Sequence, residues 1–375
     1  MGQTITRPNL PKRSPSLADR LFSRSAMSNL LRKKPSASSL STPVSPTEME
    51  SPIWSALDLT TSQADDLVQL HYGFKVIFDE KLYLAPIELS RPVEPHDGQN
   101  LVSSGIKYAK VLDIGCGPGT WLMEVAVENP RIRCVGLDAS AIFPTTVAPS
   151  NCCFALADIL SPESIFTSTT LGCDLVSPTS MFDFIHIRCF LTTMAVDTWR
   201  PLLNELTHRR LAATGFLELI EASGVIHGFA SGCESTSVLS QWIQQIYNED
   251  LHLNGEDVDT AIYNQLSQTF MDSASSESVQ WSQKQITRIF IPLNPNVTVE
   301  NSDSNSVILS SQPISRVVGE NLRWLFMKMG RRAHAKGLVA DMDQVDKIVD
   351  RWYKVERLRS DAGWVQLSCC WGQKC

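Results

Sequence analysis

No CxxC pair occurs among the ten cysteines of this 375-residue chain, the spacing that zinc ribbons and dithiol redox sites use. Adjacent cysteines do occur, at Cys152–Cys153 and Cys369–Cys370, but inside strand-like runs where neighbouring side chains point to opposite faces. The expectation is a reduced, intracellular protein with buried thiols, without a zinc site or a disulfide framework. No apolar run approaches the roughly 20 residues of a membrane-spanning helix, and no signal-peptide pattern opens the chain. Positive charge is not in excess. The formal net charge of −7 argues against a nucleic-acid-binding protein. An HExxH helix, a Ser/His/Asp set and an internal repeat are also missing.

What is present divides at about residue 50. Residues 1–50 hold eight Lys/Arg against three Asp/Glu, with many Ser and Pro, and read as a disordered basic tail. Residues 51–375 read as the globular domain, and 43% hydrophobic residues supply it with a large core. The opening "MGQTIT" matches the N-myristoylation pattern at Gly2, with Arg7, Lys12 and Arg13 as the electrostatic second signal. The same stretch also fits a transit peptide, a nuclear signal ("LLRKKPS") or an unmodified tail. The expected location is the cytoplasm, with the nucleus as an alternative, and membrane contact is expected only if Gly2 is acylated.

From Tyr108 onward, short apolar runs alternate with helical segments. "YAKVLDI", "IRCVGLD", "NCCFALAD", "MFDFIHI" and "GFLELIEA" read as strands, with helices at "TWLMEVAVENP" and "DTWRPLLNELTHRRL". That alternation predicts an α/β fold with a mostly parallel, doubly wound sheet. Two helices follow, through Leu239–Leu251 and Val258–Phe270, and are expected to form a helical cap at about 235–272. "KQITRIFIPL", a long helix over Ile314–Met329 and the terminal "GWVQLSCCWGQK" complete the sheet.

The chemistry is concentrated in "VLDIGCGPGTW". A strand runs directly into Gly115, Gly117 and Gly119, so backbone can approach a ligand at the carboxyl end of the first strand. The spacing fails the dinucleotide pattern, because Thr120 stands where its third glycine belongs, and no Gly-Lys-Ser/Thr end marks a P-loop. Asp113, ahead of the glycines, is a poor neighbour for phosphate and suits a ligand with a positive amino group. Asp138, closing the second strand, can accept from both hydroxyls of a ribose. Asp158, closing the third, can meet an adenine amino group. An amino acid, a ribose and an adenine together describe S-adenosylmethionine. Asp138 and Asp158 can alternatively be helix N-caps, and Asp113 a cap of its own loop.

These stretches, with "FLELIEA", the terminal "WGQK" and the upstream "QLHYGFKVIFDEKLYLAP", resemble the class I, seven-stranded S-adenosylmethionine-dependent methyltransferases, and more narrowly the fungal LaeA-like group of secondary metabolism. The resemblance covers roughly Gln69 to Lys374. It implies a Rossmann-like methyltransferase fold in which Asp113, Gly115, Cys116, Gly117 and Gly119 meet the methionine part of the cofactor. Asp138 would hold the ribose, Asp158 and Ile159 the adenine, and the segment near His71–Phe74 would lie over the ligand. The group's Pro-Gly-Gly turn before its fifth strand is replaced here by Ala213-Thr214-Gly215.

Three further residues are weak catalytic candidates. Arg188 ends its strand near any bound substrate, whereas His186, on the same face, lies deeper and reads as a core histidine. Glu221 closes the fifth strand. Because a sulfonium is already an activated methyl donor, the protein must mainly align a nucleophile in a dry pocket, and a general base is needed only if a proton must leave. The expected methyl acceptor is a small molecule. The alternatives are a protein of the secondary-metabolism programme, as for a LaeA-like regulator, or a non-catalytic cofactor-binding scaffold.

Overall fold

A computed structural model describes residues 61–91, 108–144, 146–157, 180–271, 279–296 and 305–375. All lie within one compact unit, Val44–Cys375. The proposed tail at 1–50, its Gly2 site and the pair Asp158 and Ile159 fall outside the described residues.

The chain enters through helix α1 (Thr61–Ile77). It then runs through β1 (Lys110–Ile114), α2 (Thr120–Glu128), β2 (Arg133–Asp138), β3 (Cys152–Leu156), β4 (Phe182–Arg188), α3 (Val196–Asn204), β5 (Leu211–Glu221) and the short β6 (Ile226–His227). Helices α4 (Glu234–Asp250) and α5 (Val258–Phe270) follow. After them come β7 (Trp281–Pro292), β8 (Ser306–Ile308), α6 (Gln312–Ala335), α7 (Met342–Lys354) and β9 (Trp364–Lys374).

The sheet has the order β3-β2-β1-β4-β5-β9-β7-β8, with β6 paired to β9. Strands β1 to β5 are mutually parallel, and β9 runs antiparallel to both β5 and β7. Growing outward from β1 in both directions, this is the doubly wound arrangement, whose order reverses between β1 and β4. The seven expected strands are all present, and β6 and β8 add two short ones. The central strands are buried on both faces: Val111, Leu112, Ile114, Phe184, Ile185 and Ile187 have no exposed surface.

Four sequence expectations are revised. The segment "QLHYGFKVIFDEKLYLAP" is helical only to Ile77, because Asp79 and Glu80 turn the chain with positive φ of 53° and 65°. The Ala213-Thr214-Gly215 stretch forms no turn. It lies within β5, where the pairing jumps from Phe182↔Leu211 to Phe184↔Phe216, so the extra residues bulge out. Helix α7 was not anticipated, although Asp341 caps it by accepting from Gln344 N at 2.7 Å. Lastly, eight of the cysteines are free but Cys153 is disulfide-bonded. It lies half-buried on β3, at the edge of the sheet, where a sulfur is more accessible than in the central strands.

Candidate active site

The glycine loop follows β1 at the point where the sheet order reverses. Gly115, Gly117 and Gly119 all adopt left-handed backbone. A Cβ at Gly115 would stand 2.5 Å from Phe190 and one at Gly119 2.4 Å from Phe154, so those two glycines let aromatic rings pack against the loop. At Gly117 the nearest atom to a Cβ is Leu67 Cδ1, at 3.7 Å. The space above Gly117 belongs to a cavity of about 530 Å³.

Asp138 lines that cavity and orders the loop beside it. One carboxylate oxygen accepts from Gly117 N at 2.8 Å and the other from Ser140 N at 2.8 Å. Burial raises its pKa, and the two backbone bonds oppose that rise. Cys116 lines the cavity, and its thiol is pushed well up by burial, so it is an inert wall residue.

Asp113 lies beneath the loop and does not line the cavity. Its Oδ1 is 3.0 Å from His186 Nδ1 on the neighbouring strand, a pairing set by the Asp113↔His186 register. His186 stacks on Trp121 with ring centroids 3.7 Å apart and planes at 9°. Trp121 in turn donates to Leu82 O at 2.6 Å. On the far side, His186 Nε2 faces Glu218 Oε1 at 3.9 Å, beyond hydrogen-bonding distance. Glu218 Oε2 accepts from Leu84 N and Ala85 N at 2.7 and 2.6 Å, tying the segment after α1 to the sheet. Burial pushes the carboxyls of Asp113 and Glu218 each up to about 7 and holds His186 well below its ordinary value, hence neutral. His186 is thus a core histidine inside an acid–imidazole–acid network. Glu218 has a larger role in the site than its sequence position suggested.

Arg188 reaches the cavity. It donates from Nη2 to His71 Nδ1 at 3.2 Å and lies over the Phe74 ring, 4.8 Å from the centroid. A guanidinium only donates, so His71 Nδ1 accepts and its proton sits on Nε2, facing Glu124 Oε2 at 3.2 Å. Glu124 also accepts from Lys75 Nζ at 2.8 Å. Through these contacts α1 is fastened over the glycine loop, with Leu67, Leu70, His71 and Phe74 turned to the cavity. Glu221 is buried, and its Oε1 accepts from Phe190 N at 2.6 Å, which holds the turn after β4.

Away from the loop the cavity is lined by Val318, Leu322 and Leu325 of α6 and by Val365 and Leu367 of β9. From the expected cap, Tyr247 is the one residue among the described lining, and Trp242 packs in the core. The cap's apolar face is consumed by its own packing against α6, α7 and β9, so little of it is left for a ligand.

No family model matches the chain. A secondary metabolism regulator, LAE1 of Cochliobolus heterostrophus, is 28% identical over 151 residues, which are 40% of this chain and 40% of LAE1. The methyltransferase str3 of Strobilurus tenacellus is 24% identical over 241 residues, covering 64% of this chain and 71% of str3. Among solved structures, a Haemonchus contortus phosphoethanolamine N-methyltransferase 2 overlaps 86% of this chain and 60% of its own, at 14% identity and a TM-score of 0.41. The sheet order, the antiparallel closing strand and the glycine loop define the class I, seven-stranded methyltransferase fold. In sequence the chain is similar both to a secondary metabolism regulator of the LaeA type and to a fungal methyltransferase.

Proposed function

We propose that this chain transfers a methyl group from S-adenosylmethionine to a small metabolite. The observation that carries the reading is the continuity of one cavity, from the bare backbone at Gly117 and the Asp138 carboxylate to the apolar wall of α6 and β9. Its volume of about 530 Å³ is in the range of small-molecule sites. The residues present fit the cofactor: Gly117 leaves open space at the loop, and Asp138 offers carboxylate oxygens to ribose hydroxyls. Asp113, Gly115, Cys116 and Gly119 shape the loop that would hold the methionine part. The bound cofactor supplies a methyl group already activated on sulfur. The chain's own work is to exclude water through α1 and to orient the acceptor against the apolar wall. Tyr247 is the polar group on that side best placed to do the orienting.

The test is to incubate the full chain with methyl-labelled cofactor and a fungal extract, then separate small molecules from proteins. Label in the small-molecule fraction is the expected result. Label confined to protein would overturn the acceptor class, and no label despite cofactor binding would overturn catalysis. In the same assay Tyr247→Phe should change turnover several-fold while cofactor affinity stays within about twofold, because Tyr247 and Thr192, which its hydroxyl bonds, both line the cavity. Equal loss of both would return Tyr247 to a packing role.

A further inference from the structure

Arg188 closes β4, and Asp138 closes β2. The last pairings with β1 are Ile114↔Ile187 on one side and Ile114↔Leu137 on the other. One step further, Gly115 is therefore flanked by Arg188 on one strand and Asp138 on the other. The two residues stand two strand spacings apart, on the order of 10 Å.

Asp138 already has its carboxylate partners in the loop backbone, whereas Arg188, among the described residues, is paired with no carboxylate and makes its hydrogen bond to His71. His71 cannot supply the missing charge. Its Nδ1 is an acceptor and burial lowers its pKa to about 4, so the ring is neutral. Glu124 behind it is committed to Lys75 and the His71 ring. A desolvated cation without a paired counterion is costly, and Arg188, whose guanidinium is a fork of donors, lines the cavity. A planar fork of this kind matches a carboxylate bidentately.

We propose that Arg188 binds the α-carboxylate of the cofactor's amino-acid moiety, opposite the ribose end at Asp138. The assignment rests on the cofactor reading above. The register favours this carboxylate over one on the methyl acceptor. Arg188 sits beside Gly115 at the loop, whereas the apolar acceptor wall is built by α6 and β9. His71 and Phe74 are positioning residues that hold the guanidinium in line.

The experiment compares S-adenosylmethionine with its decarboxylated form by calorimetry on the full chain. The two differ only in the carboxylate. Wild-type protein is expected to prefer the carboxylate-bearing compound at least tenfold, the scale of charge-assisted hydrogen bonds. Arg188→Met should collapse the preference to within about twofold, by weakening the parent compound and leaving the decarboxylated one unchanged. Arg188→Lys, which keeps the charge without the fork, should retain part of it and serves as the second variant if the first fails to fold. Equal binding of both compounds by wild type, or full preference in either folded variant, overturns the assignment while leaving the cofactor reading intact. Failure of wild type to bind either compound overturns both.

Discussion

Replacing Asp138 with Ala will lower the affinity for S-adenosylhomocysteine at least tenfold in a protein that remains folded. Two losses combine. The ribose hydroxyls lose a charged acceptor, and hydrogen bonds to charged groups contribute roughly 1.5–3 kcal/mol each. In addition, Gly117 N and Ser140 N lose the carboxylate that orders the loop at 2.8 Å on either side. A decrease of 1.4 kcal/mol is already about tenfold. Asp138→Asn keeps the size and one acceptor oxygen, so its loss should be smaller. Asp138 lines the cavity near the surface of the fold, so the thermal midpoint of the Ala variant should change far less than its affinity. Calorimetric titration of the folded Ala variant with unchanged affinity would remove Asp138 from the cofactor site.

Much of this arrangement was legible in the sequence, for identifiable reasons. The strands β1 to β5 are short apolar runs bounded by polar loops, and a parallel sheet buried on both faces demands such runs. The glycines at 115, 117 and 119 mark their turn because few other residues tolerate left-handed backbone at alternate positions. Helix α7 could have been read too: Val345, Ile348, Val349 and Trp352 follow helical spacing behind an Asp341 cap. The contacts that were not legible join distant positions. Glu218 meets Leu84 and Ala85 across more than 130 residues, and no local pattern announces that pairing. What the cap packs against was not legible for a related reason. Periodicity shows that the α4 helix has an apolar face, but which partner covers that face is decided by tertiary packing, and here α6, α7 and α5 take it. Arg188 stood out only as a charge at a strand end. That no carboxylate among the described residues pairs with it becomes visible only in the folded arrangement.

The buried acids under the loop lead to an expected pH dependence of stability. Glu218 is 1% exposed, and burial moves its carboxyl from 4.5 up to about 7. Folding therefore favours its protonated form, so the associated stability is complete below about pH 4.5 and is lost as pH rises through about 7. Asp113, moved from 3.8 to about 7 by burial, acts in the same direction. The geometry explains why a proton is welcome. In the tautomer that donates from Nδ1 to Asp113, His186 Nε2 is an acceptor, and it faces Glu218 Oε1, an oxygen with no hydrogen-bond partner among the described residues. A proton on Glu218 lets that oxygen donate to the ring after a small closure of the 3.9 Å gap. Removing the proton leaves two buried acceptors facing each other. Full chain is expected to melt at a lower temperature at pH 8 than at pH 5, with a loss on the order of 2–3 kcal/mol from Glu218. Glu218→Gln keeps an oxygen for Leu84 N and Ala85 N and supplies a permanent N–H toward His186. Its melting temperature should lose roughly half of that variation, the share of Asp113 remaining, and exceed that of wild type above pH 7. Melting curves with the same pH slope in Glu218→Gln as in wild type would show that Glu218 is not the group that takes up the proton. The raised carboxyl would then have to be assigned to Asp113, which the Asp113→Asn variant reads in the same way.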